Sequence, residues 1–343
     1  MHGWNWKDID VQTLRDIGEF GLIERLERIL PTSPLVVEGI GDDCAVLRFG
    51  DRQLLVSSDL FVENVHFRRD WATPVDIGWK AAAVALSDIA AMGGAPLFAL
   101  TSLACPGDTP TATIEGIYQG MASALSRFSA VIVGGDTARV ESGIALDVTV
   151  IGETVGSRCV TRHGAEAGDC IVVTGNCGAS AAGLHSLQHG HAAPELQQSH
   201  FRPMPRITEG QWLCRRNGVH AMIDVSDGLL QDLEHIAAFS YLGINIMPES
   251  LPVAPALSQY CLEHGVDPHR YILDGGEDYE LAFAVAASEA DAILDAFHHE
   301  FRLKTTQIGI VTDKWLGARV DAQPIDTAGF DHFKSARGAQ GEP

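Results

Sequence analysis

The chain is predicted to be α/β or α+β, with two domains. Short runs rich in β-branched and aromatic residues alternate with segments of helical periodicity along its whole length. At 343 residues it is long enough for two domains of ordinary size. The composition loosens once, through residues 156–169, with alternating elements on either side.

Taken in order, residues 1–17 form a polar extension. Phe20, Leu22, Ile23, Leu26 and Ile29 recur at helical spacing over 18–30, and Pro31 stops that helix. Strands are expected at 44–49, 53–57 and 60–67. An alanine-rich helix follows over 76–92, closed by Gly93-Gly94, and its small side chains imply close packing on a sheet. The first domain, 18–155, continues with a strand at 97–103, a helix at 111–128, a buried strand at 130–133 and a strand at 144–153. The second domain, 156–343, carries strands at 170–174, 221–224, 279–284 and 306–310, with helices at 179–187 and 228–239. Both halves place an acidic turn after a strand, which hints at related architecture.

Forty-five Asp+Glu meet 24 Lys+Arg, a net charge of −21 that argues against nucleic acid or an anionic membrane as partner. A 46% apolar share describes a soluble globular protein with an ample core. No apolar run reaches the roughly 18 residues of a transmembrane helix. The segment from Met1 to Lys7 lacks the features of a signal peptide, so a cytoplasmic location is expected. Seven cysteines without a Cys-x-x-Cys pair read as small buried hydrophobes in a reducing compartment.

Many of the acids fall into glycine-bracketed clusters at the ends of apolar runs, where they would repel one another without a cation between them. A P-loop, a kinase-type glycine-rich loop and the Rossmann spacing are all absent. Phosphates would then be neutralised indirectly, by Mg²⁺ held on carboxylate and hydroxyl oxygens. Gly41-Asp42-Asp43, Ser57-Ser58-Asp59 and Gly135-Asp136-Thr137 each supply such oxygens, although each also makes an ordinary turn. Asp88 is costly inside an apolar helix unless paired, and Lys80, two turns earlier, is too far for a direct pair. In Asp224-Val225-Ser226-Asp227-Gly228, Asp227 suits a helix cap, whereas Asp224 at the strand end is harder to dismiss. Gly275-Gly276-Glu277-Asp278-Tyr279-Glu280 packs three acids behind two glycines. The turn from Thr174 to Gly178 opens a helix whose N-terminus is either an anion site or a plain βα turn. His185, His189 and His191 read as a solvated face, and His66 as a substrate contact or a satisfied core histidine.

In their order, these segments resemble the thiamine-monophosphate kinase family. The resemblance runs from Gly18 to Phe333 through Gly39-Ile-Gly-Asp-Asp-Cys-Ala45, Ser57-Ser-Asp59, Val65-His-Phe67, Leu86-Ser-Asp-Ile-Ala-Ala-Met-Gly93 and Gly134-Gly-Asp-Thr137. It continues through Thr161-Arg-His-Gly164, Asp224-Val-Ser-Asp-Gly-Leu229, Gly275-Gly-Glu-Asp-Tyr-Glu-Leu281 and Gly329-Phe-Asp-His-Phe333. It implies a two-domain fold like aminoimidazole ribonucleotide synthetase: an N-terminal sheet domain that forms a barrel in a homodimer, and a C-terminal α/β domain. The implied reaction is transfer of the γ-phosphoryl of ATP to thiamine monophosphate, the last step of thiamine diphosphate synthesis. By this resemblance, several Mg²⁺ ions would be held by Asp43, Ser57, Ser58, Asp59, Asp88, Asp136, Asp224 and Asp227. Tyr118, Gly135, Asp136, Arg162 and Ser226 would contact ATP, and His66, Glu277 and Phe330 the thiamine end. No residue is implied as a general base. Ala85 stands where the family suggests Asn, and Asn64 where it has a small residue; neither change removes a carboxylate. Other enzymes of this fold are the nearest rivals, and selenophosphate synthetase would need a cysteine that residues 1–40 lack.

Overall fold

Thr13 and Asp16 open the first helix, the Asp16 carboxylate accepting the Thr13 N–H at 2.7 Å. This helix, α1 (Leu14–Ile29), begins inside the expected extension and is broken at Gly18, whose φ of 71° no helix tolerates. The computed structural model describes residues 12–156, 158–325 and 330–333; residues 1–11 of the extension and Gly329 of the tail motif lie outside them.

The first half contains β1 (Val36–Glu38), β2 (Ala45–Phe49), β3 (Arg52–Val62), α2 (Pro74–Ala91), β4 (Gly94–Cys105), α3 (Thr111–Ser126), β5 (Val131–Arg139) and β6 (Ala145–Thr154). Its strands form one six-stranded sheet in the order β1-β2-β3-β6-β4-β5, in which only β4 and β5 run parallel. The second half contains β7 (Cys170–Thr174), α4 (Ala179–His189), α5 (Pro194–Phe201), α6 (Ile207–Cys214), β8 (Val219–Asp224), α7 (Leu229–Ser240) and β9 (Gly243–Ile246). It ends with α8 (Pro255–His264), α9 (Pro268–Asp274), β10 (Leu281–Val285), α10 (Ala290–Phe301), β11 (Thr305–Thr312) and β12 (Gly317–Val320). Its sheet is also six-stranded, ordered β12-β9-β11-β7-β10-β8, and again one edge pair, β12 with β9, is parallel. The hint of related halves is met at the level of sheet architecture.

Helix α2 lies between the halves. It packs on β3, β6 and α3 on one side and on α6 and β8 on the other, and 13 of its 18 residues are buried. A helix without a solvent face must be apolar and slim, which accounts for the alanines. Backbones approach it so closely that a Cβ on Gly78 would stand 1.8 Å from Ile117 O, and one on Gly210 2.1 Å from Ala90 O. Ala85 is fully buried here. One hydrophobic core joins the first sheet, α2 and α3 to the inner face of the second sheet through Val172, Met222 and Phe283. Another fills the far face of that sheet under α4, α7, α8 and α9, so β7 and β10 are apolar on both sides.

Two expectations change. The Ser57-Ser58-Asp59 and Gly134-Gly135-Asp136-Thr137 segments are not turns: β3 and β5 run straight through them. Strand β3 pairs Ser57 with Val150, Ser58 with Thr149 and Asp59 with Val148, so successive side chains alternate between α2 and the outer face. Strand β5 was expected to be buried, but as the sheet edge it is exposed, with Val131 at 53% and Val133 at 57%. Gly135 is required within it, since a Cβ there would meet Thr101 O at 1.9 Å. All seven cysteines are free thiols, and five of them are buried.

The α2–α3 crossing admits no extra methyl group. Gly78→Ala should lower stability by about 2–3 kcal/mol, read as a lower urea midpoint; an unchanged midpoint would contradict this packing.

Candidate active site

Three strand and helix ends converge on one buried point. Asp43 follows Gly41, whose φ of 119° turns the chain inward; Asp88 comes from the last turns of α2, and Asp224 is the last residue of β8. One carboxylate oxygen from each lies within 4.8 Å of the others. Asp59 and Ser57 join them from the inner face of β3. The Ser57 hydroxyl donates to Asp88 Oδ2 and lies 3.2 Å from Asp59 Oδ2.

Arg162 is the cation in ion-pair contact with this cluster among the described residues. Its Nη2 donates to Asp43 Oδ1 at 2.6 Å, its Nη1 to Gly41 O at 3.2 Å, and its backbone N–H to Asp42 Oδ2 at 3.1 Å. One guanidinium cannot balance four buried carboxylates. Burial, then the repulsion of Asp43, pushes Asp224 up to about 8. Burial also raises Asp59 to about 6, and burial with the charge of Asp59 drives Asp88 well above the carboxylate range. Asp43 Oδ2 and Asp224 Oδ2 have no hydrogen-bond partner among the described residues, and Ser87 Oγ stands near Asp224 without regular geometry. Unsatisfied oxygens this deep are rare in folded proteins, and converging hard-oxygen donors are the chemistry of a Mg²⁺ site. The residues therefore fit such an ion.

The loop from β8 to α7 continues from Asp224 through Ser226 and Asp227, and Asp227 lies within electrostatic reach of Arg162. The loop backbone is held by Asp232, which accepts the N–H groups of Ser226 at 3.1 Å and Asp227 at 3.4 Å. The cap position of α7 is Gly228, so Asp227 is not the expected cap and its carboxylate meets Gln231 instead. Asp232 escaped the sequence reading; its only signal was an acid in the first turn of a leucine-rich helix.

The three acids behind Gly275-Gly276 separate. Glu277 and Tyr279 both have positive φ, 63° and 52°, so neighbouring side chains are sent to different partners. Glu277 pairs with Lys80 Nζ at 2.8 Å. Asp278 accepts the N–H groups of Gly178 at 2.6 Å and Ser180 at 3.3 Å, so the N-terminus of α4, a possible anion site by sequence, is already taken by a side chain. Glu280 pairs with Arg206 and accepts the Thr174 hydroxyl at 2.6 Å. Lys80 is thus the partner of Glu277 and not of Asp88.

His66 accepts the Val62 N–H through Nδ1 at 2.9 Å and stacks on Phe61. Burial, then His332 and Lys80, lowers it to about 4, so the ring is neutral. His332 touches both His66 and Phe330, with ring centroids 5.1 and 4.7 Å away, which places Phe330 beside His66. His66, Lys80 and His200 line one cavity with Phe61, Phe67 and Trp71.

Some sequence candidates stand apart. Ser58 faces outward, bonded to Asp147 at 3.0 Å and Thr149 at 2.9 Å. Tyr118, Gly135 and Asp136 line a second, open depression with Thr101, Ile132 and Thr137. Strands β6 and β4 lie between β5 and β3, so one chain does not bring Asp136 to the Asp59 cluster. His185, His189 and His191 are less free than expected; their rings pack against one another and against Tyr260 and His264.

Residues 41–154 match the model of the AIR synthase related protein N-terminal domain, and residues 166–321 that of its C-terminal domain. The fold and its acidic cleft therefore define a two-domain protein of the AIR synthase class. Thiamine-monophosphate kinase of Aquifex aeolicus is 36% identical over 325 residues, covering 93% of this chain and 99% of that protein. The Escherichia coli K12 enzyme of the same name is 39% identical over 331 residues, covering 92% and 98%. A solved structure of AaThiL complexed with AMPPCP and TMP superposes with a TM-score of 0.84 at 35% identity, covering 94% of this chain and 99% of that one. The chain belongs to the thiamine-monophosphate kinase family. No helix among the described residues is long and apolar enough to cross a membrane.

The raised carboxyl pKa values have a sign. Folded Asp224 and Asp59 hold protons that the unfolded chain releases near pH 4, so raising the pH costs the folded state stability. With divalent ions chelated, the melting temperature should fall between pH 5 and 8, and Asp224→Asn should flatten the curve. A parent curve already flat over that window would contradict the assigned repulsion.

Proposed function

We propose that this protein phosphorylates thiamine monophosphate with ATP, yielding thiamine diphosphate and ADP. The observation that carries the reading is the buried cluster of Asp43, Asp59, Asp88 and Asp224, with oxygens that have no partner among the described residues, beside Arg162. Joining two polyanions requires local positive charge, and this cleft is negative, so it must work through bound cations. Asp43, Ser57, Asp59, Asp88, Asp224 and Asp227 would hold Mg²⁺, with Asp136 and Ser58 serving from the outer part of the sheet. When bound, Mg²⁺ supplies screening of phosphate charge and a fixed in-line geometry.

The rest is the work of side chains. Arg162 is anchored by Asp43 and Asp42, so its guanidinium is fixed where phosphate oxygens would lie. Asp232 fixes the backbone of Ser226 and Asp227, keeping that loop ready for the nucleotide. Tyr118 and Gly135 line the open depression assigned to ATP. His66, Glu277 and Phe330 take the thiamine end, where an aromatic face suits a cationic ring. The acceptor phosphate is already largely ionised near neutral pH, its second pKa being about 6. No general base is needed, and none is assigned.

The N-terminal sheet suggests a homodimer, and the domain division 18–155 and 156–343 assigns it the nucleotide, metal and dimer surfaces. Leu60, Phe98, Leu100, Val131 and Val133 are exposed on that sheet, at 61, 45, 39, 53 and 57%. Apolar side chains in this number on one sheet mark a covered face. A soluble cytoplasmic enzyme fits the absence of a spanning helix among the described residues.

Purified protein given ATP, Mg²⁺ and thiamine monophosphate should form thiamine diphosphate and ADP in equal amounts, and only with the metal. No product from the monophosphate, with ATP consumed alongside formylglycinamidine ribonucleotide, would move the substrate assignment to the synthetase. Asp59→Asn and Asp136→Asn should each lower turnover by roughly 10³-fold or more, the several kcal/mol that metal charge stabilisation supplies; parental rates would sink the metal assignment. Light scattering should give a dimer for the parent and a monomer for Phe98→Glu/Leu100→Glu. A monomeric parent would dispose of the dimer.

A further inference from the structure

Lys80 is an anomaly in α2. Its side chain is 4% exposed, and apart from Asp76 and Asp88 the rest of the helix is alanine and other small or apolar residues. A buried ammonium costs several kcal/mol unless its partner is well placed. That partner, Glu277, comes from the other half of the chain: Nζ stands 2.8 Å from Oε1. The second carboxylate oxygen, Oε2, lies 3.3 Å from His200 Nδ1 of α5. His200 is in turn braced by Ser180 Oγ at 3.2 Å and stands 3.4 Å from Lys80 Nζ. Glu277 has a φ of 63°, a conformation that persists only where surrounding contacts enforce it.

We propose that Lys80, supported by His200, is the positioning residue of the acceptor subsite: it holds the Glu277 carboxylate in one orientation and cancels its charge. This rests on the assignment of Glu277 to the thiamine end. Glu277 then meets its ligand as a fixed, charge-balanced hydrogen-bond acceptor, suited to a ring amino group, rather than as a free anion close to the transferring phosphates. Burial, then Lys80, lowers His200 to about 3, so the imidazole is neutral and Lys80 alone balances Glu277. Lys80 and Asp88 stand eight positions apart on one helix, a rise on the order of 12 Å. Helix α2 thereby sets the spacing between the organic end of the acceptor and the carboxylates that serve its phosphate. The ligand class is an organic monophosphate whose amino-bearing ring lies about that far from the phosphate.

A double-mutant cycle tests this with the full-length enzyme, using Lys80→Met, Glu277→Gln and the pair. Lys80→Met should raise the acceptor KM by about 10-fold or more, the worth of a hydrogen bond to a charged group, with the KM for ATP unchanged. In the Glu277→Gln background, the same substitution should add nothing further. Effects that multiply in the double variant, or a Lys80→Met loss shared equally by both substrates, would overturn the positioning role alone. An unchanged acceptor KM in Glu277→Gln would overturn it together with the subsite assignment, and a parent inactive on thiamine monophosphate would overturn the reaction itself. Should Lys80→Met fail to fold, His200→Phe replaces it: a raised acceptor KM that vanishes in the Glu277→Gln background is expected, and independence from Glu277 refutes the proposal.

Discussion

A helix surrounded by protein on every side, yet carrying a cation in one half and an anion in the other, is the constraint from which this structure follows. Helix α2 cannot turn Lys80 or Asp88 to water, so each charge must be answered by the elements packed around it. Lys80 draws the Gly275–Gly276 loop inward through Glu277. Asp88 faces Ser57 and Asp59 on one side and Asp43 and Asp224 on the other. The alanines and facing glycines bring neighbouring backbones close enough for short side chains to meet. Trp79 Nε1, bonded to Pro203 O at 2.9 Å, adds a polar tie between the halves.

The acids divide by whether their oxygens are answered. Asp42, Asp232, Asp278 and Glu280 are spent on backbone amides, a hydroxyl and an arginine, and they shape loops. Asp43 and Asp224 each keep an oxygen without a partner among the described residues, although both are buried. An acid that organises its own loop needs no further explanation, whereas a buried and unanswered one stores repulsion that a ligand can relieve. Among the chain's 45 acidic residues this distinction picks out Asp43 and Asp224; Asp59 and Asp88, which accept from Ser57, are joined to them by proximity and burial.

The elements legible in the sequence were those with a period. Helical spacing located α2, α3 and α7 to within a few residues, and the β-branched runs located β4, β6, β7 and β8. Acids inside strands misled, because Asp and Ser ordinarily interrupt β structure. In β3 they are tolerated because alternation delivers Ser57 and Asp59 to α2 and leaves Ser58 outside. Exposure of β5 was illegible, since an apolar run reads the same at a sheet edge as in its centre. The site residues could be suspected singly, and their order along the chain supplied the resemblance, but their convergence depends on strand order. The pairing of Lys80 with Glu277 had no local signal, for the two lie in different halves of the chain.

The buried thiols have a kinetic consequence. Cys44 follows Asp43 directly, is 1% exposed, and is pushed well above the usual thiol range by burial and the acids around it. Cys177 precedes the Gly178 amide that Asp278 binds, and is suppressed in the same way. In the closed protein neither sulfur presents a thiolate to an oxidant or alkylating reagent. Their modification therefore requires the acidic cleft or the start of α4 to open. Two cysteines with no role in the chemistry thus serve as reporters on the breathing of the regions that enclose it.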